Sequence, residues 1–230
     1  DASGKRERGL VRHQSSPIQD VDEAIEGIVN GIFFNQGHVC CAGSRLLVQE
    51  NVHDEVVERL KRRVSTLRVG DPLDKNTDIG AINSKAQLER ISKLSATGEQ
   101  EGATRWSLDC PLPGKGFWFA PTIFTGVAAS NTIARDEIFG PVLSVLTFRT
   151  PQEAIEKANN SPYGLSAGIW TESASRMLRV ADSLKAGVVW ANTFNQFDPT
   201  SPFGGYRESG YGREGGRHGL NAYLQAGEAK

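Results

Sequence analysis

The stretch that decides the fold is residues 33–45, FFNQGHVCCAGSR. A predicted helix leads into it and a predicted strand leaves it. Between them, a loop flanked by glycine carries two adjacent thiols, Cys40 and Cys41. A thiol on such a loop can act as a nucleophile if it ionises and a carbonyl group can reach it. Free cysteines are also often small buried hydrophobic residues, so the pair alone leaves both roles open.

The helix before this loop is predicted by the spacing of apolar residues. They recur with a helical period and form one wide stripe: Val21, Ala24, Ile25, Ile28, Val29, Ile32 and Phe33. Asp20, with Glu23 three residues later, matches a capping box. The pattern therefore predicts a helix that begins after Asp20, with irregular chain before it.

Further elements follow in alternation. Residues 45–49 form a predicted buried strand, and we expect helices to be capped by Asn51, Ser84, Thr150 and Thr171. The pattern contains roughly five strands joined by long crossovers, which predicts an α/β fold with a mostly parallel sheet covered by helices on both faces. Ligands of such folds bind at the carboxyl edge of the sheet, where residues 33–45 would lie.

Composition excludes several classes of function. The 230 residues carry 26 Lys and Arg against 27 Asp and Glu, so no net charge points to nucleic acid or a membrane surface. No apolar run approaches the ~18 residues of a membrane span. The three cysteines cannot all pair, which predicts a reducing, cytoplasmic compartment. No spacing of Cys and His predicts a metal site.

Residues 33–45 closely resemble the active-site signature of the aldehyde dehydrogenase superfamily, FFNQGQxCxAGSR. In that alignment Cys40 falls on the catalytic cysteine and Cys41 on the variable position after it. His38 replaces the usual glutamine, and Val39 replaces a residue that is often cysteine. The resemblance extends to about residue 224. It implies the catalytic-domain fold of that superfamily for residues 20–230, with residues 1–19 as an irregular leader or a remnant of the missing half.

The resemblance also implies a reaction. A thiolate at Cys40 attacks an aldehyde, hydride passes to NAD+ or NADP+, and the resulting thioester is hydrolysed to a carboxylic acid. Glu137 and Phe139 match the EIFGP motif, whose glutamate binds the nicotinamide ribose and whose phenylalanine packs beside the ring. Gln87 matches a position that approaches the cofactor in some members. A solvated Glu137 and a core Phe139 are the alternative.

Other positions match the substrate channel and the proton relay. Asn192, Phe197 and Phe203 fall near the channel in the resemblance, although aromatic residues there could simply be core. Glu214 matches a second carboxylate that some members use in a relay. A glutamate just before a helix can instead complement the helix dipole. The glycines between residues 204 and 216 are not a dinucleotide fingerprint, because no strand precedes them at the required spacing.

Parts of the family pattern are missing. Complete members have an amino-terminal half that holds the dinucleotide, and their general base lies in an ELGGK segment. Glu7 has nearly the right spacing for that base, but its surroundings differ. The family's last strand, which pairs with a neighbouring subunit, is present only at its beginning, so we expect homo-oligomerisation to be impaired.

Three hypotheses remain at this stage. The leading one is the thiol-bearing domain of an aldehyde dehydrogenase that is inactive as this isolated fragment. The second is a non-catalytic interaction or regulatory fragment that binds a full-length dehydrogenase, or the missing half, through the surface that normally meets the cofactor domain. The third is a thiol esterase that needs no cofactor.

Overall fold

The computed structural model describes residues 17–225, which form seven α-helices and six strands. The helices are α1 Pro17–Phe33, α2 His53–Val64, α3 Lys85–Gln100, α4 Thr132–Arg135, α5 Pro151–Asn159, α6 Ala174–Ser183 and α7 Gly216–Asn221. The strands are β1 Arg45–Gln49, β2 Thr104–Ser107, β3 Thr122–Thr125, β4 Val142–Phe148, β5 Ser166–Ile169 and β6 Val188–Ala191. Glu7 and its surroundings lie outside the described residues.

The strands lie in two sheets. Four strands have the order β1-β4-β3-β2, in which only β2 is antiparallel, and β5 and β6 form a separate parallel pair. The predicted α/β fold with mostly parallel strands is confirmed. The prediction of a single sheet of about five strands is wrong. The free edges of β1 and β5 face a common cavity instead of pairing, and β2 is too short and polar to show a strand pattern.

Helices cover both faces of the larger sheet. Successive residues of β4 point to opposite faces, as in any strand. Leu143 and Val145 belong to the core shared with α1 and α2, whereas Val142 and Leu146 belong to the core shared with α3 and α4. This sandwich holds the ends of β1 and β4 in place, and the candidate site is built on the loops around them.

Helix α1 confirms the apolar stripe but begins earlier than predicted. Ile25, Val29, Ile32 and Phe33 are buried, and the helix packs against α2. It starts at Pro17, so Asp20 lies inside the helix and is not its cap. Proline fits the first turn of a helix because its fixed φ is already helical and its missing N–H would have no partner there.

Two of the four predicted caps are confirmed. Ser84 accepts a hydrogen bond from the Gln87 amide, and Thr150 accepts one from the Glu153 amide. The predicted cap at Asn51 is wrong because residues 50–52 form a 3₁₀ turn ahead of α2. Thr171 was also wrong, since Ser173 caps α6 and Thr171 accepts a hydrogen bond from the Ser173 amide.

Candidate active site

The loop that carries the thiols begins with a left-handed turn. Asn35, Gln36 and Gly37 have φ angles of 49°, 57° and 71°, which places three successive residues in the left-handed region. This conformation is strained for residues other than glycine. It ends α1 and directs the chain toward Cys40.

Contacts from outside the loop hold this turn. The Gln36 side-chain oxygen accepts a hydrogen bond of 2.9 Å from the Gly80 amide. Gly37 lies so close to Gly140 that an added β-carbon would overlap the Gly140 carbonyl oxygen. The loop of Cys40 is therefore fixed against two distant segments of the chain.

The two thiols have different surroundings. Cys40 is exposed, whereas Cys41 is only 2% exposed, and its sulfur lies 3.5 Å from the side-chain oxygen of Asn195. Burial, with the nearby Cys40 as a smaller cause, raises the pKa of the Cys41 thiol from 9.0 to about 11. Cys41 is thus protonated at neutral pH and behaves as a core residue, which leaves Cys40 as the accessible thiol.

His38 does not supply a positive charge to this loop at neutral pH. Burial lowers the pKa of its imidazole below the ordinary value of 6.5, so the ring is neutral at pH 7. Its Nε2 atom is buried and has no hydrogen-bond partner among residues 17–225. An imidazolium next to Cys40 therefore does not stabilise a thiolate there.

The EIFGP segment lies next to the thiol loop through Gly140. Glu137 is half-buried, and this burial raises the pKa of its carboxyl group while the guanidinium of Arg90 opposes the rise. Phe139 has a φ of 55°, a rare backbone conformation for a bulky residue. Gln87 donates hydrogen bonds to the carbonyl oxygens of Ile138 and Phe139.

A cavity of about 860 Å³ separates β1 from β5 and has both Cys40 and Glu137 in its lining. The structure therefore brings the predicted nucleophile and the predicted ribose ligand to one cavity, although they are far apart in sequence. Arg45 also lines it and donates hydrogen bonds to the Lys157 and Ala158 carbonyl oxygens at the end of α5.

An aromatic cluster packs beside the thiol loop, where Trp190 and Phe194 share a core with Cys41. Phe194 packs at 4.7 Å from Trp190, while Phe197 meets Trp190 and Phe203 edge to face at 5.4 and 5.2 Å. Phe197 remains 57% exposed, so its ring is available to an apolar molecule. Phe194 also lines a second, open cavity of about 1220 Å³, together with Phe34.

Asn192 makes local hydrogen bonds. Its side-chain oxygen accepts from the Thr171 amide at 2.9 Å and its side-chain nitrogen donates to the Thr171 carbonyl oxygen at 3.1 Å. These bonds tie the end of β6 to the end of β5. Asn192 also lines the open cavity, so its predicted place near the substrate stays a prediction.

Glu214 is exposed and paired through its backbone. It exchanges two backbone hydrogen bonds of 2.7 Å with Phe203, which brings it beside the aromatic cluster. The glycines around it serve close packing: Gly187 lies against the Gly204 carbonyl oxygen, and Gly204 against that of Gly212. A side chain at either position would separate these backbones.

In the part of the chain that the structure describes, no group of three or more His, Cys, Asp or Glu side chains could hold a metal ion. Among these residues, none of the helices combines the length and the hydropathy of a membrane-spanning segment.

Comparison with known proteins decides the family. The aldehyde dehydrogenase family model matches residues 16–228. The chain belongs to the aldehyde dehydrogenase family. It is 46% identical over 210 residues to a putative aldehyde dehydrogenase of Bacillus subtilis, a match that covers 91% of this chain and 42% of that protein. The chain thus spans about two fifths of the length of the curated relatives that it matches.

Solved aldehyde dehydrogenases share the fold. An NAD-dependent enzyme from Sinorhizobium meliloti superposes with a TM-score of 0.87 at 42% identity, covering 90% of this chain and 41% of that one. An aldehyde dehydrogenase from Bacillus cereus in complex with NAD+ superposes with a TM-score of 0.85 at 42% identity. This match covers 90% of this chain and 42% of that one. These similarities confirm the predicted family and fold.

The sequence analysis missed three residues of the candidate site. Gln36, Arg90 and Asn195 each hold a loop of the site by a hydrogen bond. Arg90 follows Gln87 by three residues on a predicted helix, so its position on the same face was detectable. The partners of Gln36 and Asn195 lie 44 and 154 residues away, and no local pattern reports them.

Proposed function

We propose that Cys40 is the nucleophile of an aldehyde dehydrogenase that oxidises aldehydes to carboxylic acids with NAD+. The observation that carries this proposal is the contrast within the thiol pair: Cys40 is exposed at a cavity shared with Glu137, whereas Cys41 is buried and protonated. Family membership and the NAD-dependent relatives support it. The exposed ring of Phe197 fits an apolar aldehyde.

The first step is attack by the Cys40 thiolate on the aldehyde carbon. A sulfur–carbon bond forms, and the carbonyl π electrons move to oxygen. The backbone N–H of Cys40 has no acceptor within residues 17–225, so it is available to donate to the developing oxyanion. The product of this step is the alkoxide form of a thiohemiacetal on Cys40.

Glu137 fits the ribose of a nicotinamide cofactor. An ionised carboxylate only accepts hydrogen bonds, and two ribose hydroxyls offer two donors. When bound, the cofactor would supply an acceptor for the hydride on the carbon bonded to the Cys40 sulfur. Loss of that hydride converts the adduct on Cys40 to a thioester. The described residues contain no glycine-rich dinucleotide turn after a strand, so we assign the rest of the cofactor to the region that relatives carry outside the matched segment.

Hydrolysis completes the cycle. Water attacks the thioester carbon, a base takes the water proton, and the Cys40 thiolate leaves with the electrons of the sulfur–carbon bond. Glu214 is the candidate base that the structure describes, since it is exposed beside Phe203. Glu7 remains a second candidate on sequence spacing alone.

The test combines this chain with the amino-terminal region of the Bacillus subtilis relative and follows NADH formation with an apolar aldehyde. We expect activity in the mixture, none in the chain alone, and none in a mixture that contains Cys40→Ser. Cys41→Ser is the matched control and should keep the activity. NADP+ is assayed in parallel. Turnover by the isolated chain, or turnover by Cys40→Ser, contradicts the proposal.

A thiol esterase is the second candidate, favoured by the exposure of Cys40 at a cavity without any requirement for a dinucleotide. Sustained hydrolysis of p-nitrophenyl acetate by the chain alone would support it. A single burst without turnover would favour the dehydrogenase, because acylation would then outpace hydrolysis.

The compartment and the partners follow from the same residue. A nucleophilic Cys40 must stay reduced, so a reducing compartment such as the cytoplasm fits this function. We propose the cofactor-binding half of a dehydrogenase as the partner of this chain. Association of the two halves can be measured by analytical ultracentrifugation before any assay of activity.

A further inference from the structure

Helix α3 holds the backbone of the EIFGP segment at three successive carbonyl groups. The Gln87 Nε2 atom donates to the Ile138 oxygen at 3.0 Å and to the Phe139 oxygen at 2.8 Å. An Arg90 guanidinium nitrogen donates to the Glu137 oxygen at 2.8 Å. Two side chains one turn apart on a single helix therefore fix residues 137–139.

The segment needs this support because its backbone is strained. Phe139 has a φ of 55°, in the left-handed region that residues other than glycine rarely adopt. The segment lies between α4 and β4, so neither helix nor sheet pairs these carbonyl groups. Strained conformations persist when neighbouring groups over-determine them.

Gln87 is itself fixed in place. Its amide N–H donates to the Ser84 cap at 3.2 Å, which anchors it in the first turn of α3. Both hydrogens of its side-chain nitrogen are needed for the two carbonyl oxygens. This nitrogen therefore has no hydrogen left to donate to a ligand.

We propose that Gln87 and Arg90 are positioning residues: they hold the backbone of residues 137–139 so that the Glu137 carboxylate and the Phe139 ring keep a fixed place for the nicotinamide riboside. This inference rests on the proposed function. It differs from the role that the family resemblance implies for Gln87, because the Gln87 side-chain nitrogen acts through the loop.

The first experiment needs no activity and uses the whole chain. Hydrogen exchange is measured across residues 137–142, where Pro141 has no amide hydrogen and the Val142 amide donates to the Gly140 oxygen. The variants are Gln87→Leu and Arg90→Met, with Lys93→Met as the matched control on the same helix. Lys93 is exposed, and its side chain makes no hydrogen bond within residues 17–225. We expect exchange in residues 137–142 to rise about tenfold in both variants and to stay unchanged in the control. Unchanged exchange in Gln87→Leu overturns the inference.

Gln87→Glu tests the donors directly. It keeps the size of the side chain but replaces the donating nitrogen with an oxygen that faces two carbonyl oxygens. Hydrogen exchange in residues 137–142 should therefore rise as it does in Gln87→Leu. Native-like exchange in Gln87→Glu would contradict the role of the two donated hydrogen bonds.

The second experiment separates positioning from a general loss of structure. In the mixture of halves, Gln87→Leu should raise the KM for NAD+ about tenfold, which corresponds to about 1.4 kcal/mol. The burst with p-nitrophenyl acetate should not change, because it requires Cys40 and no cofactor. An unchanged KM for NAD+, or an equal loss of the burst, overturns the positioning role. A wild-type mixture that never forms NADH overturns the proposed function and this role with it. The exchange experiment still decides whether Gln87 and Arg90 hold the backbone of residues 137–139.

Discussion

Gly37 and Gly140 touch backbone to backbone, and this contact joins the thiol loop to the EIFGP segment. Gly37 has a φ of 71°, and a β-carbon there would overlap the Gly140 carbonyl oxygen. We expect Gly37→Ala to lower the free energy of unfolding by at least about 1–2 kcal/mol, from the left-handed φ alone. Urea denaturation measures this. Gly114→Ala is the control, because a β-carbon there meets nothing within 4 Å, and equal effects at the two positions would contradict the contact.

Cys41 should make stability depend on alkaline pH. Its thiol pKa is about 11 in the folded protein against 9.0 for an unperturbed thiol, so the unfolded chain loses this proton first as pH rises. The contribution to stability is complete below pH 9 and is lost as pH rises toward 11. Urea denaturation between pH 8 and 11 should therefore show a decline that is smaller in Cys41→Ala. An identical decline in that variant would show that the thiol is not the source.

Asn192 should matter for stability through both of its hydrogen bonds to Thr171. Asn192→Ala removes them and leaves alanine at a φ of 52°, so we expect a loss of about 2 kcal/mol in the free energy of unfolding. Asn192→Gly also removes the bonds but tolerates the φ, and it should lose less. If urea denaturation gives the same free energy of unfolding for Asn192→Ala and Asn192→Gly, the backbone at this position is not strained.

The aromatic cluster should be coupled to α1 through Gly27 and Trp170, whose ring stacks on Phe194 with centroids 6.1 Å apart. A β-carbon at Gly27 would lie 2.5 Å from the Trp170 ring, so Gly27→Ala must displace the ring or the helix. We expect the double variant Gly27→Ala/Trp170→Leu to lose less free energy of unfolding than the two single variants lose in sum, by about 0.5–3 kcal/mol. Gly43→Ala is the control, because its nearest contact, at 3.6 Å, is an ordinary one. Strict additivity in a double-mutant cycle monitored by urea denaturation would remove the coupling.

Local patterns in the sequence predicted the elements well. The apolar stripe of α1, the strand β1 and the caps Ser84 and Thr150 depend on neighbours within about four residues, where helical spacing is informative. The wrong cap at Asn51 has a local cause too, because a 3₁₀ turn inserted there moves the start of α2 to His53.

Distant contacts could not be predicted in this way. The division of the strands into two sheets depends on whether the edges of β1 and β5 meet, and these strands are more than a hundred residues apart. The buried Cys41 thiol donates a hydrogen bond to the side-chain oxygen of Asn195, which lies 154 residues away. The resemblance identified Cys40, but only the structure shows that its neighbour is buried.

The central claim is that Cys40 traps a carbonyl carbon. The most direct test treats the whole chain with p-nitrophenyl acetate at neutral pH and locates the acyl group by fragmentation mass spectrometry, with Cys40→Ser and Cys41→Ser in parallel. We predict one acyl group on Cys40 in the wild type and in Cys41→Ser, and none in Cys40→Ser. Acylation that persists in Cys40→Ser, or that maps to Cys41, would contradict the account.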